Sequence, residues 1–553
     1  MILKKMEPEE HSKDEEVNLE ERVKFIQRRV SSSYAYWALK RLVKQEIVKQ
    51  KYKDYDVRAS FSKIMKDQEI ETKLKNKISE VYNALSTLTP SNQFAIAVKN
   101  GLDASKPIPV LPSCFSDVYF EPLESVRTAR LEWSQFLRTR LVSLCFDFDC
   151  PLLRVRRTPW VWAVPPEEAI KGETDDDGDK IVEPAVSNIP CVYDKDMLLE
   201  AIKQIDNRNY TGQLIEWGEM ELHLRTASLD VIRAEYEEID VCYKQFGLDE
   251  DRAFVEERTA LGEKLLNKDY IPYLVQYCKR GVPNGLRAQI YMKVLGLNLT
   301  AKDMRYFQHL LKQVQKWEYG LDKVMLEDIR DCCNDDKFFI FHENLEQMVM
   351  CFLRDPWVSE NLKTLPNLPM AGVTADGRYI GNVPLCGVIP FKHFSSYGAA
   401  FTYVSERVEE CYFIFRNFYC RYLSYLHSIT SNERGIISLL RLFEDVLQAF
   451  DPDLVYHLSQ LKISPLKLAF PWIVYCFVGY LEPDQVFVLL DRIIGYDSAE
   501  IVALTAVALI IYRSELLMQA TTQDEVDDLF YDISHIKVIP LLQHFLFMEK
   551  NII

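Results

Sequence analysis

Two short stretches carry side chains whose type and spacing could do chemistry or meet a partner. GVIPFKHFSSYGAAFTYV, Gly387 to Val404, reads as a small loop ahead of an apolar helix, and it presents the hydroxyls of Ser395, Ser396 and Tyr397. KVMLEDIRDCCNDD, residues 323–336, sets Asp328, Arg330 and Asp331 beside the adjacent thiols Cys332 and Cys333. Acidic neighbours raise a thiol pKa, so this pair reads as ordinary reduced cysteine and not as a nucleophile. A third stretch places Glu173, Asp175, Asp177 and Gly178 at the first, third, fifth and sixth positions of a calcium loop, where alternating oxygens surround the ion and glycine permits the turn. Its twelfth position, which needs a bidentate glutamate, is Pro184, with Glu183 one residue early. Without flanking amphipathic helices, 164–190 reads as a solvated acidic linker containing prolines.

Other chemistries lack a signature. The sequence contains no P-loop, dinucleotide fingerprint, nucleophile elbow or HExxH. Its histidines never fall three or four residues apart, and no Cys-x-x-Cys exists to clamp zinc. Neither a metal nor a cofactor is expected.

The elements that hold these residues follow from composition and period. A chain of 553 residues exceeds one hydrophobic core and suggests roughly two to four packed units. The 29 phenylalanines and 29 tyrosines give ample rings for packing. A net charge of -16 opposes tracking along nucleic-acid phosphates, which needs a clustered basic surface. The charged start, MILKKMEPEEHSKDEE, is unlike a signal peptide, and the apolar runs 469–481 and 501–512 fall short of the ~18–20 residues of a membrane span. With 13 irregularly spaced cysteines, reduced thiols in the cytoplasm are expected.

Residues 1–18 read as a disordered acidic tail. From Leu19 to about Leu85, Val23, Ile26, Val30, Tyr34 and Trp37 keep the helical period. ESVRTARLEWSQFLRTRLVSLCF (124–146) predicts a helix carrying Leu131, Phe136 and Leu141, stopped near Pro151, and a helical N-terminal region spans 19–163. Residues 191–270 read as a mixed connecting region, in which MLLEAIKQI predicts a short helix and LIEWGEMELHLRT (214–226) a small hairpin or extended insert. Helical periodicity then continues from Leu261, interrupted mainly by the Pro- and Gly-rich stretch 356–392, which predicts a large all-α domain over 271–553. Asp497 with Glu500 before IVALTAVAL predicts an N-cap and its reciprocal glutamate. The aromatic stripe YFIFRNFYCRYLSYL (412–426) reads more readily as core than as interface.

RGVPNGLRAQIYMKVLGL, residues 280–297, predicts a turn at Gly281 and Pro283. A helix follows with Leu286, Ile290, Val294 and Leu297 on one stripe, interrupted by Gly296. It resembles the opening of the TBC (Rab GTPase-activating) domain, R-G-[IV]-P-x-x-x-R-x-x-x-[WY]-x-x-L-x-G, through Arg280, Gly281, Pro283, Arg287, Tyr291, Val294 and Gly296. The family's closing segment is matched in order by His457, Leu458, Trp472, Phe477, Pro483, Leu490 and Asp491, so the resemblance covers a core at 280–497.

The resemblance implies an all-α domain that docks on a GTP-loaded Rab-family small GTPase and touches membranes only through it. The chain would then be a GTPase activator in vesicle trafficking, cytoplasmic or peripheral on endomembranes, and not an enzyme with a substrate of its own. In that family an arginine in I-x-x-D-x-x-R neutralises charge on the transferred phosphoryl group, and a glutamine in Y-x-Q-G-M orients the attacking water. Here Asp328 matches the aspartate, but the residue three later is Asp331, and Arg330 comes one position early. A one-residue slip turns a helical side chain by about 100°. At the second position Ser396 stands where glutamine is required, and serine is too short to reach the water. Losing an arginine finger alone costs about 10³–10⁵ in rate, roughly 4–7 kcal/mol. Three expectations stand side by side: a divergent activator using Arg330 with the GTPase's own glutamine, a GTPase-binding module that does not speed hydrolysis, and a scaffold whose N-terminal half makes the main contact.

Overall fold

The structure, a computed structural model, describes residues 121–547 apart from 122, 149, 163–190, 206–218, 221, 223, 225, 249–250, 363–369 and 374–378. The acidic tail, the helices expected before residue 120 and the linker at 164–190 lie outside the described residues. Internal contacts divide the chain into Met1–Pro122 and Leu123–Ile553, and the fold below is that of the second unit.

The first helix, α1 (Glu124–Asp147), ends short of Pro151, where the sequence predicts its stop. It buries Val126, Trp133, Leu137, Leu141 and Leu144 at helical spacing, whereas Leu131 and Phe136 lie at its exposed margin. Trp133 sets that face, because its ring packs edge-on against buried Tyr193. Strand β1 (Leu153–Val155) then pairs antiparallel with β2 (Trp317–Tyr319), Arg154 opposite Glu318. The predicted short helix is α2 (Lys195–Lys203), capped by the Asp194 carboxylate, which accepts from Met197 N–H at 2.9 Å. The stretch at 214–226 lies partly outside the described residues. Those described adopt neither strand nor helix, because the Glu219 and Met220 N–H groups donate to the Glu444 carboxylate at 2.7 and 3.3 Å and not to a hairpin partner.

Three helices lead to the entry motif: α3 (Leu229–Glu235), α4 (Arg252–Lys268) and α5 (Ile271–Cys278). The turn follows with Gly281 at φ 87°, where a Cβ would come within 2.6 Å of the Phe246 Cβ. Pro283 opens α6 (Asn284–Val294), which buries Leu286, Ile290 and Val294 as the apolar stripe predicts. Next come α7 (Ala301–Lys316), started by a Thr300–Asp303 capping box, then α8 (Asp322–Cys333), α9 (His342–Leu353) and α10 (Pro356–Asn361). The Pro- and Gly-rich interruption holds a hairpin, β3 (Met370–Val373) with β4 (Tyr379–Val383), so the described residues include two small antiparallel sheets among the helices.

Beyond it lie α11 (Ser395–Ala399), α12 (Val408–Arg421) and α13 (Ile436–Phe450). Prolines at the first helical positions open α14 (Pro452–Gln460), α15 (Pro465–Val474) and α16 (Pro483–Tyr496), where a missing N–H costs nothing. The aromatic stripe on α12 is core: Tyr412, Phe413, Phe415, Phe418 and Tyr419 are all buried. Phe477 lies past the end of α15, at φ 60°, with its ring stacked on Trp472 at 6.1 Å. The last helices are α17 (Glu500–Tyr512), α18 (Ser514–Leu517), α19 (Gln523–Leu529) and α20 (Val538–Phe547). Every residue of α17 from Ile501 to Ile510 is buried, because it runs between α13, α15, α16 and α20. No helix of the described residues is long and apolar enough to cross a membrane.

The N-cap expected at Asp497 is not formed. Asp497 closes α16 instead, at φ 53°, with its carboxylate taken by Arg421 at 2.9 Å and Arg434 at 2.8 Å. α17 begins after Ala499, with Glu500 as its first residue and the Glu500 N–H on the Ser498 hydroxyl.

The two ends of the matched core meet at one buried carboxylate. Asp491 on α16 accepts from Val282 N–H at 2.9 Å, from the Tyr291 hydroxyl at 2.7 Å and from Arg287 at 3.2 Å. Arg280 pairs outside this cluster, with Glu238 at 2.5 Å. Close approach of α5 and α16 depends on Gly495, whose added Cβ would lie 2.6 Å from the Lys279 backbone nitrogen. Replacing Asp491 by alanine strands the Arg287 guanidinium, so urea unfolding of Asp491→Ala should show a loss of about 3–5 kcal/mol. Tyr291→Phe, which removes one hydrogen bond, should lose only about 1 kcal/mol in the same measurement.

Candidate functional site

The two stretches singled out by residue type come together. Asp328, buried on α8, accepts hydrogen bonds from the backbone N–H groups of His393 and Ser395, the latter at 2.8 Å. The Ser395 hydroxyl returns a bond to the Asp328 carbonyl at 2.9 Å. Burial pushes the Asp328 carboxyl up, against the opposing pull of the Ser395 and His393 hydrogen bonds. His393 is held at φ 67°, a left-handed conformation uncommon outside glycine. Backbone strain of this kind persists only where its surroundings over-determine it.

Those surroundings are aromatic. Phe391, Phe394, Tyr397 and Tyr419 pack around His427, with Phe391 5.1 Å from it between ring centroids. The His427 ring nitrogens meet the hydroxyls of Tyr193 at 3.2 Å and Tyr419 at 2.7 Å. Tyr193 enters from just before α2, and its carbonyl also accepts from Lys392 N–H at 2.9 Å. The Tyr397 hydroxyl donates to the Val474 carbonyl at the end of α15. Of the three loop hydroxyls, Ser395 and Tyr397 are thus buried in structural bonds, and Ser396 alone is half-exposed.

Helical phase decides which residues of α8 face this loop. Each step advances about 100°, so position 332 lies about 40° from Asp328, position 331 about 60° from it on the other side, and position 330 about 200° away. Cys332 indeed lies beside Ser395 and Ser396, its thiol pushed up to about 12 by burial and then by Cys333 and Asp328. Arg330 is on the opposite side, its half-exposed side chain paired with Glu327 at 2.5 Å. There it borders a cleft of about 350 Å³ whose far wall is the segment after β1. That segment is pinned by Arg156 on Asp322 at 2.6 Å and by the Trp160 N–H on Glu346 at 2.8 Å. No group of His, Cys, Asp and Glu among the described residues could hold a metal ion.

Asp328 was legible as a landmark of spacing, but its work as the tether of the loop was not. The His427 cage left only a faint signal, the ring-rich FKHFSSY run. The Arg156 and Trp160 strap, more than 150 residues from its partners in sequence, left none.

A profile of the Rab-GTPase-TBC domain matches residues 394–518. The human protein TBC1 domain family member 19 is 31% identical over 456 residues, covering 80% of this chain and 85% of that one. The chain belongs to the TBC domain family of Rab GTPase activators. Among solved structures, the Chlamydomonas flagellar RabGAP TBC domain is 14% identical, with 53% of this chain and 91% of that chain covered and a TM-score of 0.39. The Ypt/Rab-GAP domain of Gyp1p is 13% identical, with 53% and 96% covered and a TM-score of 0.37. The TBC profile begins at Phe394, inside the loop that Asp328 holds, and runs through α17 to Met518.

Burial pushes the His427 imidazole down to about 3 from 6.5. The unfolded chain therefore takes up a proton below pH 6.5 that the folded TBC domain refuses. The neutral ring's share of stability is whole above pH 6.5 and is lost as pH falls toward 3, by at most about 5 kcal/mol. Urea midpoints measured from pH 7 to 4 should fall more steeply in wild type than in His427→Gln.

Proposed function

We propose that this chain recognises a Rab-family GTPase in its GTP-bound form and does not efficiently accelerate its hydrolysis, meeting membranes only through the GTPase. The observation that carries the reading is the tether. Counted three residues on from Asp328, which Ser395 holds, the family's arginine position is residue 331; it lies about 60° around α8 from Asp328 and here bears a carboxylate. Arg330, about 200° from Asp328 around α8, is directed toward the Arg156 and Trp160 strap. Ser396 stands at the glutamine position with a side chain too short to orient water. The loop is held by Asp328, while positions 331 and 396 bear neither the arginine nor the glutamine that would stabilise the transition state.

Single-turnover GTP hydrolysis across a panel of Rab proteins tests this. Wild type and Arg330→Ala should bind the GTP-loaded form alike and leave the hydrolysis rate near its intrinsic value. The pair Asp331→Arg with Ser396→Gln should raise it at least about ten-fold, a small part of the 10³–10⁵ that a well-placed arginine supplies. A wild-type acceleration abolished by Arg330→Ala would overturn the reading in favour of a divergent activator that uses Arg330.

A further inference from the structure

Past α8 the chain turns through 334–338 into a 3₁₀ turn, Phe339–Phe341. Residues three apart eclipse in such a turn, so Phe338 and Phe341 point the same way, and both rings meet Tyr403, at 6.1 and 4.7 Å between centroids. The Tyr403 hydroxyl locks the contact by donating to the Lys337 carbonyl. Phe339 and Ile340 are thereby turned outward, 46% and 58% exposed, beside Tyr403 at 40%. Scattered exposed apolar residues need no explanation. Here three large ones form a ridge whose underside is fixed by ring packing.

Carboxylates surround it. Asp335 sits in the turn itself, its carboxylate accepting from Lys337 N–H at 2.9 Å, and Asp335, Glu482 and Asp484, after burial, raise the Tyr403 phenol. Asp336 is exposed in the same turn, and Lys337 is engaged by Glu482 at 3.3 Å with Asp532 also nearby. The ridge also borders the loop held by Asp328. Ser396 and Tyr403 are seven residues apart along α11 and the 3₁₀ turn that continues it, a rise of roughly 10–14 Å.

We propose that Phe339, Ile340 and Tyr403 form an apolar contact ridge whose acidic rim selects GTPases offering an apolar depression edged by lysine or arginine. This rests on the GTPase-binding reading above and adds a determinant of which GTPase is chosen. The charge of the rim argues against other occupants. An anionic lipid surface would be repelled, and a second copy docked through a two-fold axis would set like-charged rims against each other.

The test uses the full chain and GTP-loaded Rab proteins, with affinity read by titration at low and moderate salt. Phe339→Ala with Ile340→Ala should weaken binding roughly ten- to hundred-fold. Asp336→Lys with Asp484→Lys should slow association with the preferred GTPase and flatten its salt dependence. Tyr270→Ala, at an exposed aromatic in the turn between α4 and α5, should change neither. Wild type that binds no GTPase sinks the functional reading and this one with it. Wild-type affinity retained by the ridge variant sinks this inference alone. Self-association or binding to anionic vesicles that the ridge variant abolishes, with GTPase affinity unchanged, would assign the ridge to another occupant and overturn it.

Discussion

A carboxylate can be kept inside a protein only where several donors meet it, and Asp491 is the place where this fold depends on that rule. Its oxygens take the backbone of the entry turn, the Arg287 fork and the Tyr291 hydroxyl, so two segments about 200 residues apart in sequence are held in one register. The same device recurs. Asp322 joins Arg354 to Arg156 of the strap, each at 2.6 Å. Asp355 collects Tyr306, Tyr412 and Arg416, and Asp497 collects Arg421, Arg434 and Tyr422. Such clusters add little net stability over an apolar core, but each accepts only one arrangement of helices. They fix geometry more than they supply energy.

Asp328 applies the rule to the candidate site, with one difference: its donors are mainly backbone N–H groups. A tether of that kind asks nothing of the side chains at 393 or 396 and nothing of the residue three positions beyond the aspartate. The shape of the loop is therefore physically separable from the identity of the residues at 331 and 396. The bonds of the tether, the His427 cage and the buried Tyr397 are made by groups other than the Ser396 and Asp331 side chains. The fold can be kept whichever residues stand at 331 and 396.

Legibility followed the range of each interaction. Periodicity marked α1, α2, α6 and the buried α12 and α17, because helical burial repeats within a few residues. The motif landmarks Arg287, Tyr291 and Asp491 were visible, but that they touch was not, since sequence order carries no information on contacts two hundred residues apart. Asp497 was misread because an aspartate ahead of an apolar helix satisfies the N-cap pattern locally. Arg421 and Arg434, which draw it to the end of α16 instead, lie more than 60 residues away. The 219–220 segment misled in the same way: its backbone donors are satisfied by Glu444, a group that alternation within 214–226 cannot reveal.

The charge along the tethered edge bears on the proposed reading as well. Asp331 follows the tether in sequence, and Asp335 and Asp336 continue the acidic run toward the ridge. A carboxylate about 6 Å from one phosphate charge is opposed by about 3 kcal/mol at an effective dielectric of about 20. An acidic edge would oppose the negative charge of any phosphoryl group brought close to it. The same edge favours a protein surface bearing lysine and arginine, and it does so whether or not the nucleotide is hydrolysed. Under the proposed reading, this distribution of charge favours contact with the polypeptide of a GTPase over contact with its phosphates.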